Sequence, residues 1–363
     1  MEETKRRYVG IDLGKFEYTI AIISKNGKVS IHKGKTSPKA RVSLYRLLEK
    51  SDRIALEAGN LAFIMTREIQ QQAGSEVLVL NSAKLPFIWD APTKTDKEDA
   101  MKLARLVEER RDDQLPLVPL PSENEMARRE VISNYSREMR GRTRTINMLH
   151  SLFVKQGITT VSRKNLATVE KARQAIGVLE GQLRDDAEYQ LLHLELHEKR
   201  INELKIKINQ EAKTDEDMKV LQSIAGVGPV VAYAYVAHIG DGSRFNKGAQ
   251  VSNYLGFVPR LYYSGTIERH GHITKLGNGY LRGLLVQASW AMVRSQKGGS
   301  LKERYLYTTK FQGKSKKKTI VSISRRLAEL MYTVLRNKIK YEERPWKVPQ
   351  NKTMALAEQA ISA

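Results

Sequence analysis

Cysteine is absent from the 363 residues, which excludes disulfide scaffolds, cysteine-based zinc sites, iron–sulfur ligation and thiolate catalysis, and fits a reducing compartment. Acidic residues are scarce beside basic ones: 40 Asp and Glu stand against 62 Lys and Arg, a formal net charge of +22. Long apolar runs are missing as well. The longest, Val230 to Ala237, falls far short of the ~18–20 residues that span a bilayer. The N-terminal MEETKRRYVGIDLG passes from charged residues straight into a strand-like run, with no secretory signal core. Proline numbers only 10 in all, yet three fall within DQLPLVPLP, 113–121, which reads as a linker. A composition of 41% hydrophobic and 28% charged residues still describes a folded chain. At ~150 residues per domain its length suits two or three domains. With a pI near 9.9 the expected partner is a polyanion, nucleic acid ahead of a membrane surface.

Positive charge is concentrated late in the chain. Residues 291–350 hold sixteen Lys and Arg against four Asp and Glu. The densest stretch includes Lys316, Lys317 and Lys318, and leads into a helical pattern in which Ile323, Leu327, Leu330, Val334 and Leu335 recur on one face. Six further arginines, Arg128, Arg129, Arg137, Arg140, Arg142 and Arg144, lie within seventeen residues. Either group could be a solvated helix face or a row of phosphate contacts, and charge alone does not separate DNA from RNA.

The first ~110 residues read as α/β. YVGID (8–12) is a short apolar strand, YTIAIIS (18–24) and KVSIHK (28–33) flank an Asn-Gly turn suited to a hairpin, and RIALE (53–57) is another strand. Helices are expected over 38–49, 60–73 and from Thr95 onward, with EVLVLN (76–81) as a strand between the last two. From about Glu123 to Met218 apolar residues fall at alternating three- and four-residue steps, which predicts two long helices in an antiparallel hairpin or an intermolecular coiled coil.

Four acids form the leading constellation. Asp12 and Glu57 each close a strand, and Asp96 and Asp99 stand at i and i+3 on one helix face. Converging carboxylates repel unless a cation neutralises them, and an all-oxygen set suits Mg²⁺ or Mn²⁺. The order strand, strand, helix is that of ribonuclease H-like, RuvC-type nucleases. GIDLG also opens sugar kinases and actin-like ATPases, but no further glycine-rich phosphate loop follows it. IAGVGP (224–229) resembles a helix–hairpin–helix turn, where Gly226 and Gly228 would expose backbone N–H groups to a phosphate, or would serve only to pack two helices. Ser264-Gly265 lies between Tyr262-Tyr263 and a basic stretch with Arg269, His270, His272, Lys275 and Arg282. By spacing alone such a serine is turn chemistry more often than a nucleophile.

Taken in order, GIDLGK (10–15), LEAGN (56–60), KTDKEDAMKLA (94–104), IAGVGPVVA (224–232), YLGFVPR (254–260) and YSGTIERHGHITKLGNGYLR (263–282) resemble the DEDD-type transposases of bacterial insertion sequences, the family that includes the Piv DNA invertases. The resemblance implies a RuvC-like DEDD domain (1–112), a linker and helical coiled coil (113–219), a mostly helical serine-bearing transposase domain (220–345) and a tail (346–363). It places the catalytic set on Asp12, Glu57, Asp96, Asp99 and Ser264, with the four acids as metal ligands. It further implies excision and integration of an element through a phosphoserine intermediate, and as partners double-stranded donor and target DNA, a non-coding bridge RNA and further copies of the chain as a dimer or tetramer. A bacterial cytoplasmic, nucleoid-associated location without membrane attachment goes with it. Expected nucleic-acid contacts are Gly226, Gly228, Arg269, His272, Lys275, Arg282, Arg137, Arg140, Arg144, Lys316, Lys317 and Lys318. Phe257-Val258 departs from the Leu-Thr of many relatives, away from the chemistry. The rival expectations are a junction-resolving nuclease that uses water, and a non-catalytic nucleic-acid scaffold.

Overall fold

The computed structural model describes residues 6–59, 61–81, 84–85, 95–264, 267–343 and 346, with the side chains of 261–270 excepted. The chain divides into two compact units, Met1–Pro121 and Ser122–Ala363.

The first unit is built on a mixed five-stranded sheet of order β3-β2-β1-β4-β5, consistent with a ribonuclease H-like domain. Strands β1 (Tyr8–Leu13), β2 (Glu17–Ile23) and β3 (Val29–Lys35) run antiparallel, while β4 (Arg53–Glu57) and β5 (Glu76–Leu80) run parallel to β1. The β2–β3 turn forms where Asn-Gly predicts it, with Gly27 at φ +81°. Alternation then assigns the two faces. Val9, Ile11, Tyr18, Ile20 and Ile22 pack beneath α1 (Val42–Leu47) and α2 (Ala62–Gln72), while Ala21, Ile23, Ala55, Leu78 and Leu80 face α3 (Asp96–Glu109).

Two sequence expectations change here. The helix foreseen over 38–49 shrinks to the six residues of α1, because Leu48 turns extended and the Asp52 carboxylate accepts from the Glu49 amide at 2.8 Å. The proline-rich stretch is no free linker. Val118 N donates to Val79 O at 2.7 Å, Asn81 N donates to Pro116 O at 2.9 Å, and Leu117 bridges Leu80, so the segment lies along the outer edge of β5. Proline suits an edge, where a missing N–H costs no ladder bond.

The second unit opens with α4 (Glu123–Lys155), started by a reciprocal capping box between Ser122 and Glu125. Its partner is α6 (Gly181–Thr214). Arg128 pairs with Glu211 near the start of one helix and the end of the other, and Arg142 pairs with Glu198 nearer the middle of both, so the two pack antiparallel within the chain. At Gly141 a Cβ would lie 2.4 Å from the His197 ring, which is why glycine is tolerated in mid-helix there. Ile146, Leu149 and Phe153 meet Ala187, Leu191 and Leu194, and α5 (Val169–Ala175) closes the far end. Below the hairpin lie α7 (Glu216–Gln222), α8 (Pro229–Ile239), α9 (Gly248–Tyr254), the β6–β7 hairpin (Pro259–Ser264, Ile267–Ile273), α10 (Gly279–Arg294), α11 (Gly299–Leu306) and α12 (Lys316–Asn337). Helix α8 carries the chain's longest apolar run because it is enclosed on nearly every side. Its Tyr235 hydroxyl reaches the Ala328 carbonyl at 2.8 Å. Among the described residues no helix is long and apolar enough to cross a membrane.

Candidate active site and nucleic-acid interface

Strand periodicity sends Asp12 to the same face as Gly10, and Glu57 to the same face as Ala55, which is the α3 face. The parallel ladder between β1 and β4 runs as far as Ile11 with Leu56, so Asp12 and Glu57 leave neighbouring strands side by side. Helix α3 is pressed onto this face at Gly10, where a Cβ would stand 2.0 Å from the Ala100 carbonyl oxygen. The residue before Ala100 is Asp99. Its side chain is carried under the sheet, the residue is 6% exposed, and its Oδ1 has no hydrogen-bond partner. Thr95 caps α3 by accepting from the Glu98 amide, which leaves Asp96 and Asp99 in the first turn of the helix.

Two lysines balance the helix acids. Lys102 Nζ lies 3.7 Å from Asp99 Oδ1, and Lys33 Nζ lies 3.7 Å from Asp96 Oδ2. Lys33 was not foreseen from sequence. The register explains its presence: Asp12 pairs with Thr19, and Thr19 pairs with Lys33, so one cross-strand row runs from the acid site to the edge of the sheet. Among the described residues no three Asp, Glu, His or Cys side chains stand close enough to form a finished metal cage. The donor set nonetheless fits a hard divalent cation, since it offers oxygen only and includes a buried carboxylate oxygen with no hydrogen bond of its own.

In the second unit Ser264 ends β6 and pairs with Ile267 across the hairpin, and Arg269 pairs with Tyr262. The side chains of Ser264, Arg269 and His270 lie outside the described residues. The hairpin stands on a crossing that only glycines permit: a Cβ on Gly277 would lie 2.0 Å from Tyr254 O, and one on Gly256 2.4 Å from Leu276 O. Arg282 is occupied there, donating to the carbonyls of Leu255 at 2.9 Å and Leu276 at 3.0 Å, and desolvation lowers its pKa. His272 and Lys275 are exposed beside it, Lys275 with φ +56°.

The glycine pair separates into two roles. Gly226 has φ +83° and its Cβ would strike Ala288 O at 2.5 Å, so it packs the turn against α10. Gly228 is the N-cap of α8 and its Cβ position meets nothing within 4 Å, which leaves backbone open to an approaching group. Behind this region His238 is held by Asn278, whose Nδ2 donates to His238 Nε2 at 2.8 Å while its Oδ1 caps α10. Burial, then Arg129 and Arg244, push the His238 pKa down to about 4.

The arginine row of α4 also divides. Arg128 is paired with Glu211 and Asp215, Arg129 donates to Ala237 O, and Arg142 is paired with Glu198. Arg137, Arg140 and Arg144 are exposed without an ion pair among the described residues, and their i, i+3, i+7 spacing makes one stripe. Lys316, Lys317 and Lys318 are exposed in the first turn of α12.

Comparison with known proteins gives this geometry a context. Residues 9–156 match the DEDD transposase model of the IS110 type, and residues 218–306 match the transposase IS116/IS110/IS902 family. A probable family 20 transposase of Pseudomonas aeruginosa is 28% identical over 66% of this chain and 71% of its own length. The transposase for insertion sequence element IS1111A of Coxiella burnetii is 27% identical over 55% of this chain and 56% of its own. The pilin gene-inverting protein of Moraxella bovis is 25% identical over 69% of each.

Proposed function

Because the chain belongs to the IS110/IS116 family of insertion-sequence transposases, an enzyme family acting on DNA, we propose that it excises and integrates its element by strand exchange through a phosphoserine link. What supports this reading is that Asp12 and Glu57 end adjacent parallel strands on the face that α3 covers, and that α3 carries Asp99, whose buried Oδ1 has no hydrogen bond. Asp12, Glu57, Asp96 and Asp99 would hold Mg²⁺ or Mn²⁺, which when bound withdraws charge from a phosphoryl group and acidifies a nearby hydroxyl. Asp99 fixes the site from inside the fold, and Asp96 exchanges Lys33 for a new charge partner.

Ser264 supplies the nucleophile. Its oxygen forms a bond to a DNA phosphorus while the bond from that phosphorus to one deoxyribose oxygen breaks, and the freed strand end takes up a proton. Reversal by a different strand end breaks the serine–phosphorus bond and forms a new phosphodiester, so the number of ester bonds is conserved and no nucleotide cofactor is needed. Arg137, Arg140, Arg144, Lys275, His272, Gly228 and Lys316–Lys318 bind nucleic acid in this reading, with Arg269 on the serine hairpin. The α4 stripe takes a bridge RNA that pairs with donor and target DNA. The protein works as a dimer or tetramer in the bacterial cytoplasm, at the nucleoid.

The test uses cells carrying the gene with its native flanking DNA. After denaturing lysis, a covalent protein–DNA adduct present in the wild type and lost in Ser264→Ala and Asp12→Ala supports the mechanism. Cleaved DNA without adduct, indifferent to Ser264→Ala, replaces it with hydrolysis by a water-using nuclease. Binding without cleavage, indifferent to all four acids, leaves only a scaffold.

A further inference from the structure

The second unit contains a cavity that neither the acid site nor the serine hairpin uses. It measures about 600 Å³ and lies between the C-terminal end of α11 and the first two turns of α12. A cavity of that volume suits a small ligand and is far too narrow for a duplex. Three of its walls are cationic, Arg304, Lys314 and Lys318. Arg326 adds a fourth positive charge close enough to disfavour the Arg304 cation, which burial already disfavours. Among the described residues none of the four has a carboxylate partner, although elsewhere in this unit arginines such as Arg128, Arg142 and Arg325 are paired. Exposed cations gathered around a partly desolvated Arg304, none of them with a carboxylate partner, favour an anion arriving from outside.

The remaining wall is aromatic. Tyr307 and Trp346 meet edge to face with centroids 5.1 Å apart, and the Trp346 amide donates to Glu303 at 3.1 Å, which ties the ring to the rim. Tyr307 also opens a π-helical turn, closed by Gln312 N donating to Tyr307 O at 3.1 Å. Such widened turns recur at functional sites. Hydroxyls of Thr308, Ser315 and Ser322 complete the lining.

Positive charge at one end and aromatic faces at the other match the two halves of a nucleotide. We propose that this cavity binds one unpaired nucleotide, its phosphate against Arg304 and Lys318 and its base against Tyr307 and Trp346. The inference rests on the nucleic-acid reading above for the source of the ligand, but not on the metal site or on Ser264. The same chemistry is offered by single-stranded DNA and by an RNA loop.

Fluorescence polarisation of the full-length protein tests it, with labelled (dT)8, labelled (U)8 and a 20-base-pair DNA duplex as probes. Arg304→Gln and Trp346→Ala are each expected to weaken at least one single-stranded probe about tenfold while changing duplex affinity less than threefold. Trp346→Phe should keep most of the affinity, since base stacking tolerates any aromatic ring. Tyr307→Ala repeats the test from a different element, in case Trp346→Ala disturbs folding. Loss confined to (dT)8 or to (U)8 names the source, and loss of both says that the pocket ignores the 2′-hydroxyl. Equal losses for single strand and duplex, no loss at all, or a Trp346→Phe variant as weak as Trp346→Ala overturns the proposal. Duplex binding that persists while single-strand binding is unaffected by these variants would sink this pocket and leave the wider nucleic-acid reading intact.

Discussion

A methyl group at Gly10 would stand 2.0 Å from the Ala100 oxygen and 2.5 Å from the Ala104 nitrogen, both backbone atoms of the helix that carries Asp96 and Asp99. Neither atom can turn aside as a side chain would. Gly10→Ala should therefore push α3 outward, at a cost of about 1–3 kcal/mol for overpacking. Adduct formation should vanish although all four acids remain, and thermal melts beside the adduct assay check both halves. Asp99→Asn is the complementary change, conserving shape and removing charge. It should weaken Mn²⁺ binding at least tenfold by calorimetry with little loss of stability. An unaltered Mn²⁺ affinity would exclude Asp99 as a ligand.

His238 offers a residue-level prediction that is independent of catalysis. Its pKa falls from the ordinary 6.5 to about 4 through burial first, then Arg129 and Arg244. The folded ring therefore stays neutral at pH values where the unfolded chain already binds a proton there. Its contribution is complete above about pH 6.5, is lost as pH falls toward 4, and is on the order of 3 kcal/mol in full. Denaturant melts at pH 7 and pH 5 should show His238→Gln losing most of that pH dependence. A wild-type slope in the variant would assign the effect to other groups.

At the scale of elements, the glycine turn before α8 makes the sharpest contrast. Gly226→Ala meets both a left-handed φ and the α10 backbone, and should cost about 2 kcal/mol or more. Gly228→Ala meets open space and should change stability by less than about 0.5 kcal/mol, with its effect confined to nucleic-acid affinity. Equal destabilisation by the two would contradict the division of roles.

The same contrast shows what was legible in the sequence. Strands β1, β2, β4 and β5 were readable as short continuous apolar runs, because the sheet is covered on both faces, and helices α3, α4, α6 and α12 because each has one buried face and a clean period. Strand β3 was readable only through its Asn-Gly turn, since none of its residues is buried. The β6–β7 hairpin was not read as strands at all: RLYYS and IERHGHI have no apolar alternation to announce them. The placement of Asp12 and Glu57 at strand ends followed from local pattern. The partnership of Lys33 with Asp96, and the capture of Arg282 by two carbonyls, depend on register and loop crossing, which no local window contains. The proline-rich segment misled for a related reason, because proline reads as a linker whether or not a strand edge lies beside it.

For the whole molecule, a net charge of +22 favours polyanions without choosing a surface for them. In the function proposed above, the arginines of α4 left without an ion pair among the described residues carry that contact. Replacing Arg137, Arg140 and Arg144 together with Gln should leave the melting temperature nearly unchanged and flatten the salt dependence of RNA binding by about 0.7 in log–log slope for each phosphate no longer neutralised. Arg128→Gln should do the reverse, destabilising the hairpin by about 2 kcal/mol or more as Glu211 and Asp215 are left facing each other. If the triple variant melted like Arg128→Gln, the stripe would be structural.

The bonds along β5 have one more consequence, and it is topological. The backbone leaves β5 at Leu80 and Asn81, carries Asp96 and Asp99 on α3, and returns to the same strand at Pro116–Val118. This excursion is a closed ring with its clasp on β5, and α3 is fastened to the sheet by its own packing between the two ends. A single cut in the ring therefore leaves both fragments tied to the sheet, one by β5 and the other by α3 and the clasp. A protein nicked between Leu85 and Thr95 should hold its two fragments together through gel filtration and keep both helix acids in place, whereas cutting the clasp itself would let the strap go.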